Sequence, residues 1–199
     1  MWRCAETPRL RYRRIALERD GIALRPFSTG DLPRLLAIVQ APDIVRFSHL
    51  PSAWRTEEGA LAYIRSLPRL ASGGQKVDLA IEALRTGLLV GRVALRNISW
   101  RRRGAGVATW VAPEARGHGI GTKALRLISD WAFSELGLLR LEADPDRDNF
   151  ASRRMLGRRL FRRENGRSGR GGGPDSCHVC AYPRTLHVTS SPRRILTLA

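Results

Sequence analysis

The stretch W-V-A-P-E-A-R-G-H-G-I-G-T, Trp110 to Thr122, sets one arginine and three glycines between a run that reads as a strand and one that reads as a helix. Glycines at 117, 119 and 121 let the backbone approach a ligand closely, and the unpaired amides and dipole of the following helix attract a negative group. Arg116 adds a formal positive charge. These residues suit phosphate binding, although a plain strand-to-helix turn in which glycines relieve crowding accounts for the same letters. A Rossmann dinucleotide site is disfavoured, because the spacing is G-x-G-x-G and no βαβ unit precedes it. A second polar pair, Asn149 and Ser152, stands at the head of another helical run, where a serine also serves as an ordinary cap. Cys177 and Cys180 form C-x-x-C near His178 and His187. Zinc requires a second, spaced ligand pair, and a strand with buried thiols explains these letters more simply.

The elements that must carry these residues follow from periodicity. Gly21 to Phe27 reads as a strand, followed by a helix that Asp31 caps, with Pro33 in its first turn and Leu32, Leu35, Leu36 and Val39 as its apolar stripe. Thr56 caps a second helix whose Leu61, Ile64 and Leu67 share a face. V-D-L-A-I-E-A-L and L-L-V-G-R-V-A-L-R-N-I, joined by R-T-G at 85–87, form an antiparallel hairpin. A strand from Gly106 to Pro113 leads through the glycine turn into a helix over about 120–136, buried through Ile120, Ala124, Leu127, Ile128 and Trp131 and ended by Gly137. In L-L-R-L-E-A-D, Leu139, Leu141 and Ala143 alternate inward. C-H-V-C-A-Y supplies a last strand, and the residues after it read as a frayed tail.

Length and charge limit what these parts can be. A chain of 199 residues, 43% hydrophobic, buries one core. The boundaries expected are an N-terminal extension over 1–20, one domain over 21–185 and a basic tail over 186–199. No apolar run reaches the roughly 20 residues of a spanning helix, the first residues lack a secretory apolar region, and three cysteines argue against a disulfide framework, which together predict a cytoplasmic protein without a membrane partner. The formal charge is +17, yet Lys76 and Lys123 are the only lysines, so arginine bias accounts for much of it. Eleven of the arginines lie from Arg153 onward, against Glu164 and Asp175. The charge allows a weak attraction to RNA or the ribosome and speaks against a polycationic partner.

Taken together, the motifs resemble those of the GNAT acetyltransferases, and within them the RimJ/RimL branch. Arg116, Gly119 and Gly121 match the Q/R-x-x-G-x-G/A signature between strand and helix; Asn149 and Ser152 match N-x-x-S, and Phe161 follows nine residues later. G-I-A-L-R-P-F, D-I-V-R-F and L-V-G-R-V-A-L are similar as well, so the resemblance spans roughly 21–164. It implies an α/β (α+β) fold: a mixed, mostly antiparallel, V-shaped sheet of about six to seven strands with about four helices, splayed between the strands ending near Val111 and Asp144. Acetyl-CoA is the implied cosubstrate, with pantetheine along the backbone of Trp110 and Val111, pyrophosphate on Arg116, Gly117, His118, Gly119, Ile120, Gly121 and Thr122, and Asn149 beside the pantetheine. The implied reaction is acetyl transfer to a primary amine, foremost a protein N-terminal α-amine, by a monomer or homodimer.

The catalytic groups depart from the family pattern. Leu156 stands where many members have a tyrosine acid, so by position the acid role falls to Ser152, as in RimL-like enzymes. A carboxylate that the branch can carry further on falls here on Gly171, and Leu160 replaces the glycine before Phe161. His49, His118 and Glu142 are substitutes for a base, each with an ordinary loop or surface reading; a water chain is a further route. A thiol near pKa ~8.5 leaves with little help, and an α-amine near ~7.7–8.0 needs a base far less than a lysine near ~10.4. The alternatives are acetylation of a small-molecule amine, coenzyme A binding without catalysis, and RNA binding through the arginine-rich tail.

Overall fold

Asp20 and Gly21 both take positive φ, 53° and 81°, and so close the kind of two-residue hairpin that Asp-Gly favours. It joins β1 (Leu17–Arg19) to β2 (Ile22–Pro26), with Leu17 opposite Leu24. The structure, a computed structural model, describes residues 10–48, 50–157, 161–163 and 179–181. Residues ahead of the expected domain start at Gly21 are therefore part of the fold: Tyr12 and Ile15 are in the core, and the Tyr12 hydroxyl donates to the Asp78 carbonyl at 2.6 Å.

The sheet continues antiparallel through β3 (Val77–Ala83), β4 (Leu88–Ser99) and β5 (Gly104–Val111). The β3–β4 turn at Arg85–Gly87 is the one expected, Gly87 taking φ 66°. β6 (Arg140–Ala143) then pairs parallel to β5, and β8 (Val179–Ala181) joins β6 to β7 (Arg162–Arg163). The described residues thus give a mixed, mostly antiparallel sheet of eight strands in the order β1-β2-β3-β4-β5-β6-β8-β7. The short β1, which pairs onto the edge of β2, takes the strand count past the six to seven expected.

Among the described residues five α-helices flank it: α1 (Leu32–Val39), α2 (Pro42–Phe47), α3 (Glu57–Ser72), α4 (Ile120–Ser134) and α5 (Phe150–Leu156). α2 is a helix that periodicity does not indicate. Thr56 caps α3 by accepting from the Gly59 amide, as expected. Asp31 behaves differently from expectation: its carboxylate turns back to accept from the Ser28 amide at 2.8 Å and binds Arg25 through both oxygens, and makes no cap bond to α1.

Leu24, Leu35, Leu67, Leu79, Leu95 and Ile128 are among the fully buried side chains that bind helices to sheet. Leu141 and Ala143 point inward along β6 as expected, whereas Leu139, just ahead of the strand, does not. Leu139 is 46% exposed because its amide is tied to the Arg103 carbonyl at 2.6 Å, and Leu138 fills the buried slot instead. On α4, Gly121 and Leu125 join the buried face, while Ile120 and Trp131 are half-buried. No helix among the described residues is long and apolar enough to cross a membrane.

Candidate functional site

β5 and β6 are in register at only three positions, Gly104–Gly106 against Arg140–Glu142. Beyond Gly106, β5 continues for five residues with β4 as a partner on one side and a gap on the other. The Ala112 amide donates to the Val90 carbonyl on β4, so the alternation of an antiparallel ladder turns the Val111 N–H and C=O into the gap, while those of Trp110 face β4. Of the two backbone positions expected to meet the pantetheine, only Val111 has this orientation. Its carbonyl accepts from Arg116 Nε at 3.0 Å.

The glycine turn lies directly beyond. Gly117 and Gly119 take φ of 82° and 74°, conformations that disfavour a side chain, and a Cβ at either position would meet nothing within 4 Å. Gly119 is the residue before α4, and the first-turn amides of Ile120, Gly121 and Thr122 point out of a 15-residue helix without intrahelical acceptors. Gly121 answers to packing: a Cβ there would lie 2.5 Å from Met155 Sδ, so its absence lets α5 sit against the start of α4. His118 is exposed. Arg116 is less free than its charge suggested, because its other end pairs with Asp43 on α2 at 2.6 Å.

A cleft of about 690 Å³, open to solvent, runs through the splay. Asn149, Ser152 and Met155 line one wall; Phe47, Ser48, Arg92 and Arg96 line another; Trp110 and Thr109 stand between. Asn149 is the cap of α5: its Oδ1 accepts from the Ser152 amide at 2.9 Å. The capping role open to Ser152 thus falls to Asn149, and the half-buried Ser152 hydroxyl has no hydrogen-bond partner among the described residues.

The three substitute bases are not brought together. Glu142 is held by Arg140 Nε at 2.7 Å, His118 is on the exposed glycine turn, and His49 lies outside the described residues, as do Leu160, Gly171 and Cys177. Cys180 is buried, and no group of three metal-ligating side chains is close enough to hold an ion among the described residues. The cleft carboxylates are Asp144 and Asp146, each engaged in an interaction of its own.

Sequence reasoning missed the far wall. Arg92 is 6% exposed, and its guanidinium binds the fully buried Asp78, Nε to Oδ1 at 2.6 Å. Tyr63 donates its hydroxyl to the same carboxylate, Lys76 Nζ is 3.1 Å from it, and the Trp54 ring stacks on Tyr63 with centroids 3.6 Å apart. Burial and the Asp78 charge push the Tyr63 phenol far above its ordinary value, so it stays protonated. The signal was two arginines, four apart, inside the otherwise apolar L-V-G-R-V-A-L-R.

Residues 22–161 match the family described as "Acetyltransferase (GNAT) domain". An uncharacterized N-acetyltransferase of Bacillus subtilis, YoaA, is 26% identical over 148 residues, 74% of this chain and 83% of that one. Among solved structures, a putative ribosomal-protein-serine acetyltransferase from Vibrio cholerae superposes with a TM-score of 0.72 at 20% identity, over 85% of this chain and 98% of that one. RimJ of Mycobacterium smegmatis in complex with CoA-disulfide gives 0.67 at 24%, over 80% of each chain. With the family profile matching most of the chain and the splayed sheet in place, the protein belongs to the GNAT acetyltransferases and is an acetyl-CoA-dependent N-acetyltransferase.

Proposed function

We propose that the acceptor is a protein N-terminal α-amine. On this reading the pyrophosphate of acetyl-CoA lies on the amides of Arg116, Gly117, His118, Gly119, Ile120, Gly121 and Thr122. The pantetheine runs beside β5 at Trp110 and Val111, hydrogen-bonded through Val111, with the Asn149 side-chain amide on its other flank. The acetyl group sits in the splay, and the acceptor enters from the wall of Phe47, Ser48 and Arg96. The glycines with positive φ at the start of α4, next to an unpaired strand edge, support this placement. A cytoplasmic setting, where acetyl-CoA and nascent or ribosomal proteins meet, goes with the reading.

The observation that carries the acceptor is the chemistry of the cleft. Among the described residues its lining holds no histidine, and its aspartates already have partners. A lysine-type amine near ~10.4 needs a strong base to become nucleophilic, whereas an α-amine near ~7.7–8.0 is partly neutral in neutral buffer. In the reaction the neutral amine attacks the thioester carbonyl, a backbone amide in the splay stabilises the oxyanion, and the sulfur leaves as a thiolate. On this reading Ser152 relays a proton to that sulfur and regains one from water, which also takes the proton lost by the amine.

Free-thiol release from acetyl-CoA tests the reading against peptides beginning with Ser, Ala or Thr, polyamines and aminoglycosides. Turnover with the peptides is expected. Turnover with polyamines or aminoglycosides alone would replace the acceptor, and coenzyme A binding without turnover on any amine would leave a binding protein.

A further inference from the structure

The acceptor wall of the cleft has an excess of positive charge. Residues paired across a sheet share a face, so Arg92 with Trp110 and Arg96 with Gly106 all project to one side of the sheet. Between them stand only Ala94 and Ala108. The floor is thus made of small residues and bounded by cations. Arg96 rests over Gly106, where a Cβ would come within 3.1 Å of its Cγ. Arg96 lines the cleft, is exposed, and has no ion-pair partner among the described residues.

Its neighbours do not neutralise it. Asp78 is one carboxylate shared by Arg92 and Lys76, so these four side chains carry a formal excess of two positive charges. The Lys76 ammonium is held below its ordinary value by burial first, and then by Arg92 and Arg96 against the pull of Asp78. A second observation points to a missing acceptor atom: Trp110 lines the cleft at 7% exposure, and its indole N–H has no hydrogen-bond partner. A buried donor left in this state is costly unless something fills the site. Asp144 and Asp146 stand on the opposite wall, so the cleft is cationic on the β4 side and anionic on the side of the β6–α5 loop.

We propose that Arg96 binds a carboxylate on the acceptor, and that the enzyme selects amines carrying a carboxylate a short distance from the reacting nitrogen. The proposal rests on the acetyl-transfer reading and deepens it. An acidic side chain early in an N-terminal peptide has this chemistry, as does a free amino acid. A guanidinium is a donor only, so carboxylate is bound and a second ammonium is repelled.

The test compares kcat/KM for peptide pairs that differ by Glu or Gln at the second and third positions, free glutamate, and a Lys counterpart, on wild-type protein and on Arg96→Gln and Arg96→Glu. Wild type is expected to favour the Glu peptide over Gln by roughly tenfold to a hundredfold, the range of a charge-assisted contact. Arg96→Gln brings that ratio towards one, and Arg96→Glu turns preference to the Lys peptide, a reversal that damage to the fold does not produce. Free glutamate as the better substrate assigns the carboxylate to a small molecule, and the peptide as the better one assigns it to a protein. A wild-type ratio near one, or a ratio that Arg96→Glu leaves unchanged, overturns the proposal. Calorimetry of the same peptides on the coenzyme A complex separates the two readings: acid-selective binding without turnover keeps the subsite and removes the reaction, and binding without selectivity removes the subsite.

Discussion

Ser152 and Asn149 divide between them what a single serine had been left to do. Because Asn149 caps α5, the Ser152 hydroxyl is spared that duty and is available on the cleft wall. Ser152→Ala should therefore lower kcat and leave the KM for acetyl-CoA unchanged. The fall should be about tenfold, the low side of general acid catalysis, because a thiol of pKa ~8.5 leaves nearly unaided. Asn149→Ala should instead weaken coenzyme A and cost about 1 kcal/mol of stability through the lost cap. Steady-state kinetics with thermal melts on the two variants checks the split; equal effects on kcat and KM in both would contradict it. The residues of the glycine turn were legible because positive φ and close packing leave glycine few substitutes. Arg96 was not, because its role depends on register: only pairing with Gly106 puts it over the floor of the cleft.

At the scale of elements, the pairings that open the splay also explain what periodicity could and could not show. The hairpin of β3 and β4, the Thr56 cap and the long α4 came from local pattern, and they hold. β1 was missed although Asp-Gly at 20–21 is a hairpin signal, because the three residues before it, Leu17, Glu18 and Arg19, carry no alternation that a short edge strand needs. Leu139 does not join the inward set of Leu141 and Ala143, because it lies ahead of β6, where its amide is tied to the Arg103 carbonyl. Asp31 was taken for a helix cap, yet it joins β2 to the start of α1 through Arg25 and Ser28. Burial raises its carboxyl, but those partners outweigh it and hold the group below its ordinary value. A carboxyl lowered in the folded state stabilises above its unfolded pKa of about 3.9, and the contribution is lost as pH falls through the folded value. The melting temperature of Asp31→Asn should accordingly trail wild type at pH 7, and the difference should shrink below about pH 4. A gap that does not change with pH would place the contribution of Asp31 in packing.

For the molecule as a whole, the sheet opens partway along β5, and the proposed function uses that opening for two binding tasks. On that proposal the α4 side presents amides to the coenzyme, the α2 and β4 side presents charge to the acceptor, and the reacting atoms meet where β6 has left β5. The family was legible from short contiguous matches, and the proposed coenzyme contacts are likewise contiguous backbone; the proposed acceptor wall draws on residues far apart in the chain, which a single sequence does not bring together. The central claim is that the cleft acetylates an α-amine without a dedicated base. At pH 7.5 the neutral fraction of an N-terminal amine exceeds that of a lysine by roughly 250-fold, from pKa values near ~7.8 and ~10.4. The most direct measurement is fragmentation mass spectrometry of a peptide bearing a free N-terminal Ser or Ala, an acidic residue beside it and one internal lysine, after incubation with enzyme and acetyl-CoA. A single acetyl group on the N-terminal nitrogen is the predicted result, and acetylation of the lysine, or of neither amine while coenzyme A binds, would contradict the account.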